Sequence, residues 1–233
     1  MNSYCRIAGQ ASPEAASPAV TLVLGGQKSG KSRHAEMVAA SWLAHPEHEA
    51  VLVATAQAWD DEMHERITRH QADRFHRAPR MRTVEEPLQL ADTITQCSTP
   101  QTLVVVDCLT LWLTNWLMPM EVHGADEPMG LRMRRQQFQS ARQALLNALQ
   151  QAAGPVLLVS NEMGWGVMPM GRAVRVFADE LGMLNQAVAV VSQQVVLVVA
   201  GQAVDVKALA AASTVQSVVD PLRSEPCDQG GQP

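Results

Sequence analysis

Gly25-Gly26-Gln27-Lys28-Ser29-Gly30-Lys31-Ser32 sets two glycines, a lysine and a hydroxyl at the spacing G-x-x-x-x-G-K-[ST]. A backbone that turns on Gly25 and Gly30 aims successive N–H groups at one point. A helix opening at Lys31 adds the partial positive charge of its N-terminus. The ligand this cradle suits is a row of phosphates, so the segment reads as a P-loop for ATP or GTP. Lys31 is then expected to reach the β- and γ-phosphates, and Ser32 to hold Mg2+. Asp107 closes the apolar run 103–106, as the acidic residue of a Walker B strand does, and is the second expected Mg2+ ligand. Because backbone N–H groups do not read the base, the choice between ATP and GTP as phosphoryl donor stays open.

These residues need a scaffold that delivers them to one edge. Short apolar runs at 20–24, 51–54, 103–106, 156–159 and 195–199 lack polar alternation and read as strands buried on both faces. Between them, 31–44, 60–76, 87–97, 109–117, 130–152 and 172–192 read as helices. The alternation requires an α/β fold, doubly wound, with a mainly parallel sheet between helices, and with the phosphate segment after its first strand the expected class is a P-loop NTPase, RecA-like. Residues 118–129, with two prolines and a glycine, read as a long surface loop. One catalytic domain is expected over 19–207, with flexible tails at 1–18 and 208–233. Hydrophobic residues make up 47% of the chain, enough for a sizeable core, and the net charge of −5 argues against nucleic acid as a partner. The four cysteines are widely spaced, which suits a reducing cytoplasm, and no apolar run is long enough for an export signal or a membrane span.

The phosphate segment continues as Ser32-Arg33-His34-Ala35-Glu36, and later come Asp60-Asp61-Glu62-Met63, Arg66-Ile67 and His70. Arg82-Thr83-Val84-Glu85, Asp107-Cys108-Leu109-Thr110, Asn161-Glu162-Met163-Gly164-Trp165-Gly166-Val167 with Pro169, and Arg175, Asp179, Gly182, Asn185 and Gln186 follow. With these residues the chain resembles the bifunctional adenosylcobinamide kinase/adenosylcobinamide-phosphate guanylyltransferase family across about residues 20–207. The resemblance implies phosphorylation of the aminopropanol hydroxyl of adenosylcobinamide, then transfer of GMP from GTP to that phosphate through a guanylylated histidine. By motif position the histidine is His70. The implied nucleotide contacts are Gly25 to Ser32, Ala54-Thr55-Ala56, Gln71-Ala72-Asp73-Arg74, Glu85 and Asp107. A homotrimer is implied as well. Met81 stands where the family commonly has tryptophan, and Ala178 where it has arginine.

The chemistry asked of His70 is sound for an imidazole. Unprotonated, it attacks the α-phosphorus, expels pyrophosphate and holds GMP as a phosphoramidate. Met63, Ile67, His70 and Arg74 are spaced four, three and four apart, so a helix puts them on one face. His64 lies off that face, and His34 follows the P-loop in a supporting place. Asp60, Asp61 and Glu62 read as helix caps rather than a metal cluster, and Arg132, Arg134 and Arg135 as a solvated helix face. Residues 161–169, with glycines and Trp165 after a strand, read as a wall of the substrate site. Two other functions keep the P-loop, a kinase for another small alcohol and a RecA-like ATP-binding module. Only the first reading predicts acid-labile GMP on the protein.

Overall fold

A computed structural model of the chain describes residues 19–58, 60–118, 128–166 and 171–219. The first half runs β1 (Val20–Leu24), α1 (Lys31–Trp42), β2 (Glu49–Ala54), α2 (Asp61–Arg77), β3 (Arg82–Glu85), α3 (Leu90–Cys97) and β4 (Thr102–Asp107). The second half runs α4 (Leu109–Leu117), α5 (Pro128–Gln151), β5 (Val156–Val159), α6 (Arg172–Val191), β6 (Gln194–Val199), β7 (Gln202–Asp205) and α7 (Val206–Val219). The strands form one seven-stranded sheet of order β3-β2-β4-β5-β1-β6-β7. All pairs are parallel except β6 with β7.

The unbroken apolar runs follow from the layering. Side chains alternate between the two faces of a strand, so Val104 and Val106 join one buried cluster while Leu103 and Val105 join the other. The first cluster includes Leu90 and Ile94 of α3, Trp112 of α4, Phe138 of α5 and Leu181 of α6. The second is closed by Ala35 and Ala39 of α1. Burying each large aliphatic side chain contributes about 1.5–3 kcal/mol, so the middle of a central strand is apolar on both faces, and polar residues such as Thr102 and Asp107 of β4 stand at its ends. Trp112 satisfies its indole N–H on the Leu88 carbonyl at 2.9 Å and packs its ring against Phe138.

Several boundaries differ from those expected of the sequence, for local reasons. Helix α3 begins at Leu90 rather than 87, because the Glu86 carboxylate accepts the Leu88 and Gln89 N–H groups and holds that stretch as a turn. Strand β3 is short and exposed enough to carry no strong apolar signal. Helix α7 occupies the start of the segment expected to be a tail, its Ala-rich sequence being a strong helix former. Asp60 caps α2, its carboxylate accepting the Met63 N–H at 2.7 Å. Among the described residues no group of three or more acidic, histidine or cysteine side chains could hold a metal, and no helix is long and apolar enough to cross a membrane. The expected tail residues 1–18 and 220–233, and 119–127 of the expected loop, lie outside the described residues.

Candidate active site at the carboxyl edge of the sheet

One register row crosses the sheet from Val23 through Val159, Asp107 and Ala54 to Glu85. Since these strands are parallel, whatever follows the row gathers at a single edge, where ligands of such sheets bind. The phosphate loop follows β1, Asp107 ends β4, and the segment from Ser160 follows β5.

Gly25 is buried, Gly26, Gln27 and Lys28 are exposed, and Gly30 caps helix α1 in the left-handed conformation. Gly25 has φ 156°, and a Cβ there would lie 2.4 Å from the Val198 carbonyl oxygen. We expect Gly25→Ala to cost about 1–3 kcal/mol as an overpacking change and to weaken triphosphate binding, measured by denaturant unfolding and nucleotide titration. The loop is braced by a feature not expected from the sequence. Strands β6 and β7 join through Ala200 and Gly201, both at positive φ, and the Gly201 N–H donates to the Ser29 carbonyl at 2.8 Å. Two successive positive φ angles make a tight hairpin turn. Its signal in the sequence was the Gly201 that ends the apolar run, but Ala before Gly is a weak hairpin cue.

Lys31 is buried, and its Nζ donates to the Gly26 carbonyl at 2.7 Å, which folds the ammonium over the loop. Burial lowers its pKa from the ordinary lysine value, against the opposing influence of Cys108 and Asp107. An anionic ligand at this point would be held by a poorly solvated cation, where electrostatic attraction is strongest. Asp107 is half-buried beside it. A hydroxyl at the first turn of α1 and a carboxylate at the end of β4 are hard oxygen donors, the set Mg2+ takes. We expect Asp107→Asn to reduce nucleotide use by on the order of 10²-fold with little change in melting temperature. A loss that added Mg2+ does not relieve, and that follows the melting temperature instead, would make Asp107 structural.

Thr55 is completely buried. Its hydroxyl donates to the Cys108 carbonyl at 2.7 Å and accepts the Cys108 N–H at 2.9 Å, while the Asn115 amide donates to the Thr55 carbonyl at 2.8 Å. The Thr55 side chain therefore ties β2 to β4 and has no hydroxyl to spare for a nucleotide. The Cys108 thiol is pushed up to about 11, chiefly by burial and then by Asp107, which removes it as a nucleophile at neutral pH.

Helix α2 is exposed along most of its length, but Met63, Ile67, His70 and Arg74 are each half-buried, so the expected face exists. Arg77 bonds Glu36 of α1 and Asp73 of its own helix, which fixes α2 against α1. Asp73 is therefore engaged by Arg77 at 3.6 Å. Gln71, Arg74 and Glu85 line one cavity of about 360 Å³, together with the exposed Phe75 and Thr83 and the buried Met81. His70, Ala72 and Asp73 are not among its lining residues, nor is any residue of the phosphate loop. The structure thus brings Gln71, Arg74 and Glu85 together and leaves Lys31 and Asp107 in a second group. His34 is half-buried after the loop, and burial lowers its pKa.

Two further expectations meet the structure. Arg135 is not simply solvated, since its guanidinium bonds Glu180, which is fully buried on α6, at 2.6–2.7 Å. The Glu162 N–H donates to the Gly25 carbonyl at 3.0 Å, so the segment after β5 stands against the phosphate loop. Val167 and Pro169 lie outside the described residues.

A parallel α/β sheet whose first strand delivers a glycine-lysine-serine loop onto a helix, with an aspartate ending a nearby strand, defines a P-loop nucleotide-binding fold. Residues 21–206 match the family described as cobinamide kinase / cobinamide phosphate guanyltransferase, and the chain belongs to that family. It is 44% identical over 181 residues to the bifunctional adenosylcobalamin biosynthesis protein CobP of Pseudomonas aeruginosa, covering 77% of this chain and 92% of that one. It is 36% identical over 186 residues to the bifunctional adenosylcobalamin biosynthesis protein CobU of Escherichia coli, covering 80% of this chain and 98% of that one. The protein of the same name from Salmonella typhimurium is 34% identical with the same coverage.

Proposed function

We propose that this enzyme phosphorylates adenosylcobinamide with ATP or GTP and then transfers GMP from GTP to the new phosphate, giving adenosylcobinamide-GDP. The observation that carries the reading is the family match over 21–206, which includes both the phosphate loop and the half-buried face of His70.

In the first reaction the loop N–H groups and Lys31 hold the triphosphate while the substrate hydroxyl attacks the γ-phosphorus. Mg2+, held by Ser32 and Asp107, would screen the phosphate charge. In the second, His70 displaces pyrophosphate from GTP, and an oxygen of the substrate phosphate then displaces the imidazole. Splitting the transfer lets two anionic substrates react in turn rather than against each other. Gln71, Arg74 and Glu85 supply an amide, a cation and a carboxylate around one cavity, a set able to engage the nucleotide that loads His70. Thr55 contributes backbone only, since its hydroxyl is spent on Cys108.

The enzyme works in the cytoplasm as a homotrimer on this reading, and light scattering of the purified protein checks the trimer. The deciding assay is sequential, with adenosylcobinamide and γ-labelled ATP first and α-labelled GTP second, following phosphate and GMP incorporation separately. Phosphate incorporation without GMP would leave a simple kinase. Nucleotide hydrolysis with neither product would leave an ATP-binding module.

A further inference from the structure

Strand β5 lies between β1, which carries the phosphate loop, and β4, which ends in Asp107. The segment leaving its carboxyl end therefore stands between the loop and that aspartate. Three hydrogen bonds set this segment: Asn161 N–H to Thr110 Oγ1 at 2.9 Å, Asn185 Nδ2 to the Asn161 carbonyl at 3.0 Å, and Glu162 N–H to the Gly25 carbonyl at 3.0 Å. Glu162 is thus bonded to the first residue of the phosphate loop. Its Oε1 accepts the Gly164 N–H at 3.0 Å, and its side chain is half-buried, with no bond to Oε2 among the described residues.

We propose that Glu162 is the catalytic base of the phosphorylation step. The assignment rests on the kinase reading given above. The two carboxylates that do lie on the register row are poorly placed to take the proton, since Asp107 is committed to the metal in that reading and Glu85 sits on β3, three strands from β5. In the step, the substrate hydroxyl oxygen forms a bond to the γ-phosphorus as the bond from that phosphorus to the β–γ bridging oxygen breaks. The nucleoside diphosphate leaves with the electron pair. The hydroxyl proton passes to Glu162 Oε2 and from there to water. GMP transfer to a phosphate oxygen removes no hydroxyl proton, so the second reaction has no use for this base.

A merely structural Glu162 would act through its bond to Gly164, and Glu162→Gln separates the two roles. The amide oxygen still accepts the Gly164 N–H and the backbone bond to Gly25 is untouched, but the side chain no longer takes a proton. Wild-type and Glu162→Gln full-length proteins are compared in three measurements: kcat and nucleotide KM for adenosylcobinamide phosphorylation across pH, and protein-bound GMP after incubation with α-labelled GTP. The expected result is a fall in phosphorylation kcat on the order of 10²-fold or more, loss of the acid limb of the pH profile, unchanged nucleotide KM and unchanged GMP loading. Phosphorylation at the wild-type rate with the acid limb intact would overturn the assignment. So would an equal loss of phosphorylation and GMP loading, which would make Glu162 a builder of the loop. A wild-type protein that loads GMP but phosphorylates nothing would instead sink the kinase reading, and the base with it.

Discussion

Lys31→Ala is expected to lower both phosphorylation and GMP loading by at least about 10²–10³-fold, while the protein melts no earlier than wild type. The ammonium is folded over the phosphate loop by its bond to the Gly26 carbonyl, and it is largely removed from water. Catalysis of phosphoryl transfer depends on positioning and charge stabilisation more than on covalent chemistry. A cation fixed in a poorly solvated place is therefore worth more than one on the surface. The fold has little to lose, because alanine is the better helix former at the start of α1 and because a buried cation is costly to keep. Both reactions consume a triphosphate, so both should fail together. Triphosphate affinity and turnover near wild type in a Lys31→Ala protein would show that the loop does not serve as a phosphate cradle.

The parallel sheet was legible in the sequence because strands buried on both faces are apolar along their length, and β1 and β5 begin and end where the apolar runs do. The hairpin β6–β7 and strand β3 were not legible. β3 has three exposed residues in four, so burial left no pattern to read, and β7 owes its place to a turn at Ala200 and Gly201 rather than to its own residues. Helix α7 was hidden by its small side chains, which form a helix readily without marking a buried face. At the site, the phosphate loop was legible because its chemistry is local, eight consecutive residues with one backbone geometry. The tie between Thr55 and Cys108 was not, because it joins residues 53 apart through a hydroxyl that nothing nearby in the chain demands. The same holds for Glu180 and Arg135, where a fully buried carboxylate on α6 turns an apparently solvated arginine into its partner.

The two proposed reactions draw on one phosphate loop but use different nucleophiles, a substrate hydroxyl in the first and His70 in the second, and His70 lies apart from that loop on the half-buried face of α2. His70→Ala should therefore eliminate GMP transfer, a loss of many orders of magnitude as with other covalent nucleophiles, and leave adenosylcobinamide phosphorylation measurable. Fold loss is not expected, since His70 is only half-buried and α2 is held by its Asp60 cap and by Arg77 on Glu36. A phosphoramidate is labile in acid and stable in base, so wild-type protein incubated with α-labelled GTP should keep its label through alkali and lose it in acid. The variant should carry none. His64, on the same helix but exposed and off the half-buried face, is the internal control, and His64→Ala should load GMP as wild type does. Covalent GMP on His70→Ala protein, or its disappearance from His64→Ala protein instead, would move the nucleophile off the half-buried face that His70 shares with Met63 and Ile67.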